Sequence, residues 1–149
     1  MPISRARELL IGLEPATYER TGDATDEYNC LAWAFGITDQ WIWPASEQAA
    51  WPDDLQLADE FESIVAFAER QGFQLCQGAE LEPEPEKIAI YAHPESGEPT
   101  HVALQLSDGR SSSKLGDWED IAHAAIDAVS ARYGVASTFM RRPRTSAPH

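Results

Sequence analysis

The chain has 149 residues, of which 43% are hydrophobic and 24% are charged, and its formal net charge is −14. This length and composition are typical of one globular domain with a core of its own. The charge argues against a nucleic-acid-binding protein, because clustered Lys and Arg must meet the phosphate backbone. An acidic surface instead favours solubility, or a cationic partner or substrate.

The sequence shows neither a signal peptide nor the run of about 20 apolar residues that a membrane-spanning helix needs. Two cysteines, Cys30 and Cys76, do not suggest a disulfide scaffold, and they indicate a reducing compartment. We therefore expect a single domain over residues 1–149 in the cytoplasm, with export by a route other than a Sec signal left open. No nucleic-acid or membrane partner is expected.

The chain begins with a weakly patterned, irregular lead over residues 1–25. Residues 4–10 predict a short helix within it, since Gly12 and Pro15 follow and would end a helix. Residues 21–25 have the composition of a turn.

A short buried helix is predicted over residues 28–35, with Gly36 at its C-terminal end. Thr25 or Asp26 would be its N-cap, because a side-chain oxygen there accepts a hydrogen bond from a first-turn N–H. Cys30 then lies in the first turn of this helix.

Tryptophan is concentrated in the loop that follows, at Trp41, Trp43 and Trp51. Pro44 and Pro52 exclude a continuous helix or a central strand across it. The favoured interpretation is that these large side chains supply buried area, and the alternative is that they form the wall of a groove.

Residues 59–71 predict an amphipathic helix, because apolar residues recur there at helical spacing and Gly72 follows. A short strand is expected over residues 73–76. The segment 80–86 alternates Pro and Glu, which predicts an extended, solvated linker.

The second half of the chain predicts a β-meander, then a helix and a last strand. Asp108-Gly109 is a strong hairpin-turn signal, Asp117 would cap the helix, Gly134 would end it, and residues 143–149 would form a flexible tail. The predicted strands span 87–92, 101–106, 111–115 and 135–140. The expected fold class is α+β, with helices packed on one antiparallel meander sheet.

Cys30 and His101 are the pair of side chains best suited to chemistry. A helix N-terminus and a neighbouring imidazolium both lower the pKa of a thiol. We expect Cys30 to have the first, and His101 to supply the second if the small Ala103 lets the helix approach that face of the strand. His101 would take the thiol proton and return it to the leaving group. The alternative is an inert, packed cysteine and a histidine bonded to backbone.

A third polar group usually orients such an imidazole. A strict two-residue turn would place Ser112 and Lys114 on the face of His101, whereas a bulged turn would place Ser113 there. Asp117 is explained better as a helix cap than as this third residue.

Other parts of a site are less clearly marked. The backbone N–H of Cys30, with the Asn29 side chain or a neighbouring amide, would stabilise an oxyanion. His123 is expected near the start of the last helix, where Asp120 can satisfy it. No metal or organic cofactor is expected, because the Cys and His residues lack metal-binding spacing and no phosphate-binding glycine loop is present.

Tyr28-Asn29-Cys30 at a helix start, followed by the strand and glycine turn of residues 100–109, resembles the core of papain-like cysteine hydrolases of the NlpC-type peptidase and CHAP amidase kind. Residues 28–34, 112–116 and 120–123 resemble more closely a family of small uncharacterised bacterial proteins, which implies no particular activity.

The papain-like resemblance implies a role for several positions. Cys30 would be the nucleophile and His101 the base, with Ser113 about where the third residue stands. Tyr28 and Asn29 would border the amino end of the substrate.

The leading hypothesis is a papain-like hydrolase of peptide, amide or related acyl bonds that uses Cys30 and His101, with Trp41 and Trp43 in one wall of its cleft. The second is an inactive papain-like module that binds a protein partner through an acidic, Trp-rich surface. The third is an acidic antagonist of a basic toxin or nucleic-acid-binding protein, for which the net charge is the evidence.

Overall fold

The computed structural model describes residues 3–14, 17–44, 49–78 and 85–143. Within them the chain is α+β, as the sequence predicts. The helices are α1 (Arg5–Ile11), α2 (Cys30–Ala34), α3 (Glu60–Arg70) and α4 (Ser130–Tyr133), with 3-10 helices at Asp53–Leu55 and Ile126–Val129. The strands are β1 (Tyr18–Gly22), β2 (Gln74–Cys76), β3 (Pro85–Ala92), β4 (Pro99–Gln105), β5 (Ser111–Lys114), β6 (Asp120–His123) and β7 (Val135–Pro143).

The seven strands form one sheet in the order β1-β6-β5-β4-β3-β7-β2. Every neighbouring pair is antiparallel. Strands β3 to β6 are consecutive in the chain and in the sheet. Strands β3 to β5 form the predicted meander and β6 extends it by one strand, whereas β1 and β2 are the edges. The short loops of the meander bring residues 101, 113 and 123 onto three adjacent strands.

Both faces of the sheet are covered, because alternate side chains of a strand point to opposite faces. Ile88 and Ile90 of β3 belong to one apolar cluster, which includes buried residues of α2 and α3. Ala89 and Tyr91 belong to the other, which includes residues of α1 and the 3-10 helix before α4. The sheet is therefore the middle of three layers.

Three predicted elements occur close to their expected positions. Ser4 caps helix α1, since its Oγ accepts from the Arg7 N–H at 3.2 Å. Asp59 caps helix α3, since its carboxylate accepts from the Glu62 N–H at 3.1 Å, and one face of this helix is largely buried. Strand β7 covers the predicted last strand and continues to Pro143.

The prediction of an irregular lead is wrong for residues 18–22, which form the edge strand β1. Tyr18 pairs with His123 of β6. The sequence predicts Gly22 to be a turn residue. In the structure Gly22 lies against Asp120, and a Cβ at position 22 would be 2.1 Å from a carboxylate oxygen of Asp120. The glycine therefore serves a close approach between two strands.

The predicted helix after Asp117 is also wrong. Leu115 donates its N–H to the Glu119 carbonyl at 3.0 Å, and the Trp118 N–H donates back to the Leu115 carbonyl at 2.8 Å. These bonds close a tight hairpin, so β6 returns along β5, and the helical part is reduced to the 3-10 helix and α4. The residues predicted to form one long helix are thus divided between a strand, a bend and two short helical turns.

Parts of two predictions fall outside the described residues. These are positions 80–84 of the acidic linker, whose remaining two residues begin β3, and positions 144–149 of the tail. Within the described ranges, the helices are too short or too polar to cross a membrane.

Candidate functional site

Cys30 is the first residue of α2, and Asn29 caps this helix. The Asn29 Oδ1 accepts from the Ala32 N–H at 3.3 Å and from the Ile42 N–H at 3.1 Å, while Nδ2 donates to the Ile42 carbonyl at 2.9 Å. One buried amide thus fixes the helix start and holds the segment between Trp41 and Trp43 against it.

The expectation that Thr25 or Asp26 caps α2 is wrong. The Thr25 hydroxyl accepts from the Glu27 N–H at 3.1 Å, which forms a local turn before the helix. The Asp26 carbonyl accepts from the indole N–H of Trp41. Thr25 and Asp26 therefore form hydrogen bonds before the start of α2 and do not cap it.

The β4–β5 hairpin sets the register of the site. Its loop has three residues, 107–109, because the Leu106 N–H donates to the Arg110 carbonyl at 2.7 Å, and Gly109 has a φ of 93°. Leu104 therefore pairs with Ser112, and Ser113 shares the sheet face of His101. This is the register that a bulged turn predicts.

Strands β4 and β5 separate toward the start of β4. Their ladder pairs Leu104 with Ser112 and Gln105 with Ser111, and in the described part of the chain it extends no further. His101 Nε2 instead meets Ser113 Oγ at 2.9 Å. Helix α2 packs against both strands, so the thiol of its first residue lies near this gap.

The expected approach of α2 over Ala103 is wrong. Ala103 belongs to the apolar cluster on the opposite face, whereas Val102 packs with the residues of α2. Helix α2 therefore does not pack on the face of β4 that carries Ala103 and His101.

Cys30 and His101 line one cavity of about 290 Å³. Aromatic and small uncharged side chains form the rest of the described lining. These residues are Asn29, Trp41, Trp43, Ala49, Thr100, Gly116 and Tyr133. Three of the expected substrate-binding residues, Asn29, Trp41 and Trp43, are thus at this cavity. The fourth, Tyr28, is not among its described lining residues.

Cys30 is only 7% exposed, and burial raises the pKa of its thiol to about 11. Nearby backbone N–H groups, of Val102 first, oppose this rise and do not reverse it. The expectation that the helix start and an imidazolium lower this pKa is therefore wrong, because loss of solvent is the larger effect. The resting thiol is protonated.

His101 is fully buried between two tyrosines. Its ring stacks on Tyr133, with centroids 4.2 Å apart and planes 10° apart, and meets the Tyr91 ring edge-on at 5.1 Å. Burial, with a smaller contribution from His123, lowers the pKa of His101 to about 3, so the imidazole is neutral. Its Nδ1 is buried and has no hydrogen-bond partner within the described residues.

His101 is the first member of a hydrogen-bonded chain that crosses three strands. Ser113 Oγ lies 2.9 Å from His101 Nε2 and 2.8 Å from His123 Nε2, and His123 Nδ1 lies 2.8 Å from the Ala125 carbonyl oxygen. All three side chains are buried.

His123 is the residue of this site that the sequence analysis misses. The sequence predicts a helix here, with Asp120 as a partner of His123, whereas His123 belongs to β6. Ile121 and His123 alternate with Asp120 and Ala122, and this period of two was the available signal.

The other proposed third residues have separate roles. Lys114 Nζ donates to the carbonyls of Thr25, Gly116 and Trp118 at 2.5 to 2.7 Å. Ser112 Oγ accepts from the Trp33 indole at 2.8 Å.

Tyr28 and Asp117 are not among the described residues that line the cavity. The Tyr28 ring stacks on Trp33 at 5.6 Å, and its hydroxyl donates to the Asp120 carboxylate at 3.2 Å. Asp117 lies in the β5–β6 hairpin turn. Tyr28 therefore supports the helix from the side.

No group of three or more His, Cys, Asp or Glu side chains in the described residues is arranged to hold a metal ion. Cys76, on the edge strand β2, is half-buried and its thiol points toward the Gly78 carbonyl at 3.7 Å.

Comparison with curated proteins finds no match, and comparison with solved structures finds none either. A family model described as "Domain of unknown function (DUF7689)" matches residues 19–141. This range contains Cys30, His101, Ser113 and His123. Because the match covers well over half of the chain, the protein belongs to the DUF7689 family.

Proposed function

We propose that this protein is a papain-like cysteine hydrolase of amide, peptide or related acyl bonds, with Cys30 as nucleophile and His101 as base. The observation that carries the proposal is the state of His101. It lines the same cavity as Cys30, its Nε2 is held by Ser113, and its buried Nδ1 lacks a partner in the described residues. A neutral imidazole with one unpartnered nitrogen is able to accept a proton.

The reaction begins from a neutral pair, since the thiol and the imidazole both resist ionisation when buried. As the Cys30 sulfur attacks the acyl carbon, its proton passes to His101 Nδ1. Collapse of the tetrahedral adduct breaks the bond to the leaving amine, which takes the proton from the imidazolium. Water then attacks the thioester with His101 again as base, which releases the acid and restores the thiol.

The cavity lining supports an apolar acyl group as the substrate portion that enters. Trp41, Trp43 and Tyr133 supply aromatic walls, and the described lining contains no Asp, Glu, Lys or Arg. A charged group would lose its hydration there without gaining an ionic partner. The net charge of −14 therefore acts at the outer surface and not in the cavity.

Covalent labelling by an acyl-type electrophile with an aromatic side chain tests the proposal. We expect one adduct on Cys30, located by mass spectrometry of the digested protein. Cys30→Ala should abolish it, and Cys76→Ala, the matched control, should retain it. An adduct on Cys76 alone, or no reaction of Cys30 at any pH at which the protein is folded, would contradict the proposal.

A second candidate function is an inactive papain-like module that binds a protein partner. The burial of Cys30 and the raised pKa of its thiol favour it. In that case the aromatic cavity would receive an apolar side chain of the partner, and Cys30→Ala would bind it as the wild type does. Labelling of Cys30 that depends on His101 would contradict this alternative.

A further inference from the structure

We propose that His123 is a positioning residue that acts through Ser113 to fix the tautomer of His101, so that His101 Nδ1 is the free base. The tautomer itself depends only on the hydrogen-bonded chain. The effect of this tautomer on the reactivity of Cys30 rests on the proposed function. His123 is not among the described residues that line the cavity, so it acts on His101 and not on a substrate.

The direction in which these hydrogen bonds are donated is set at His123, the end of the hydrogen-bonded chain that is far from His101. His123 Nδ1 lies 2.8 Å from the Ala125 carbonyl oxygen, and a carbonyl oxygen can only accept a hydrogen bond. Nδ1 must therefore carry the proton. His123 is fully buried, and burial lowers its pKa, so its ring is neutral and Nε2 is left as an acceptor.

The remaining two bonds follow from this one. Ser113 Oγ, at 2.8 Å from His123 Nε2, donates its single proton to that nitrogen. The same oxygen then accepts from His101 Nε2–H at 2.9 Å. His101 is consequently the Nε2–H tautomer, and the unprotonated nitrogen is Nδ1, the buried atom that has no partner in the described residues.

Removal of His123 removes the acceptor that fixes this direction. The Ser113 hydroxyl would turn toward the other nitrogen within reach, His101 Nε2, and donate to it. The proton of His101 would move to Nδ1, and this nitrogen would no longer be a free base. A purely structural role of His123 would change stability without changing this tautomer.

Nitrogen-15 NMR of histidine-labelled protein distinguishes the two tautomers by the shifts of Nδ1 and Nε2. We expect Nε2–H for His101 in the wild type, and a change to predominantly Nδ1–H in His123→Ala. Labelling of Cys30 by the acyl probe should fall on the order of 10²-fold in the same variant. His123→Gln, which can place an acceptor oxygen near Ser113, should restore part of both, and the exposed His93→Ala should change neither.

An unchanged His101 tautomer in His123→Ala would overturn the inference, whatever the labelling rate. If that variant does not fold, His123→Phe removes the same acceptor of the Ser113 hydroxyl while keeping an aromatic ring, and an unchanged His101 tautomer there has the same meaning. If the tautomers behave as expected while wild-type Cys30 stays unreactive, the positioning role of His123 is supported and the proposed function fails.

Discussion

Lys114 shows how one buried residue organises the surroundings of the site. Its ammonium is fully buried and donates to three carbonyls, of Thr25, Gly116 and Trp118. These acceptors belong to the lead before α2 and to the β5–β6 hairpin. A buried cation with three such partners ties together two segments that are far apart in sequence.

Replacing Lys114 by Met should therefore lower the free energy of unfolding by about 3 kcal/mol or more, because three buried acceptors lose their donor. Urea denaturation measures the loss. Arg70→Met is the control, since Arg70 forms an exposed pair with Asp54 and its removal should change the midpoint little. Equal effects of the two substitutions would contradict this role of Lys114.

Burial of His101 makes the stability dependent on pH. Its pKa falls from 6.5 to about 3 on folding, so between these values the unfolded chain binds the proton more readily. Stability is then lost as pH falls below 6.5, by about 2 kcal/mol between about pH 7 and about pH 5 from this group. His123, whose pKa is also lowered by burial, adds to the loss.

Urea denaturation at several pH values should show this slope. His101→Phe, which keeps an aromatic ring against Tyr133, should make the slope shallower. His93→Gln, at an exposed position, should leave it unchanged. A slope in His101→Phe equal to that of the wild type would show that His101 is not responsible.

At the scale of elements, the position of α4 against the end of β3 decides where Tyr133 stacks on His101. Gly134 ends α4 with a φ of 87°, and a Cβ there would lie 2.2 Å from the Ala92 carbonyl oxygen. Glycine is required at position 134 for two reasons, the backbone conformation and the close approach to the Ala92 carbonyl.

Gly134→Ala should cost more than about 2 kcal/mol, since it combines a backbone conformation that essentially only glycine adopts with a backbone clash. Gly97→Ala is matched to it, with a φ of 74° and nothing within 4 Å of the added Cβ, and should cost about 1 kcal/mol. Thermal or urea unfolding compares the two. If Gly97→Ala were as damaging, the contact with Ala92 would have no part in the effect.

Helix α3 and the β4–β5 hairpin are predicted from the sequence, because short stretches of neighbouring residues determine them. Asp59 and the apolar stripe give α3, and Asp108-Gly109 gives the hairpin between β4 and β5. The register of that hairpin is not local information, since a two-residue and a three-residue loop share the same glycine. The sequence therefore indicates Cys30 and His101 and leaves Ser113 as one of several alternatives.

The elements that the sequence analysis misses depend on pairing between distant segments. Strand β1 is stable because β6 lies beside it, and β6 is a strand because it returns along β5. Neither pairing is visible in the residues of β1 or β6 alone. Once β6 is taken for a helix, His123 cannot be placed beside Ser113, and the hydrogen-bonded chain is hidden.

At the scale of the whole molecule, a net charge of −14 on 149 residues implies repulsion that the folded state must overcome. Added salt screens exposed charges over about 10 Å or less. The melting temperature at neutral pH should therefore rise by a few degrees between low salt and about 0.5 M sodium chloride. Potassium chloride should act equally, and a constant or falling melting temperature would contradict the expectation.

The protein has a net charge of −14, whereas the described lining of the cavity is uncharged. The cavity and the outer surface are therefore suited to different ligands. The cavity depends on contacts between α2, the Trp41–Trp43 segment, two separated strands and α4. The residues that match the DUF7689 family model include all of these parts. We expect the site to be a property of the whole fold and not of one short motif.

We propose that Cys30 reacts because His101 takes its proton. The most direct measurement is the rate at which the acyl probe modifies Cys30 at neutral pH in the wild type and in His101→Gln. We predict a fall on the order of 10²-fold or more in the variant, with the difference shrinking near pH 11, where the thiol ionises without a base. Equal rates at neutral pH in two folded proteins would contradict it.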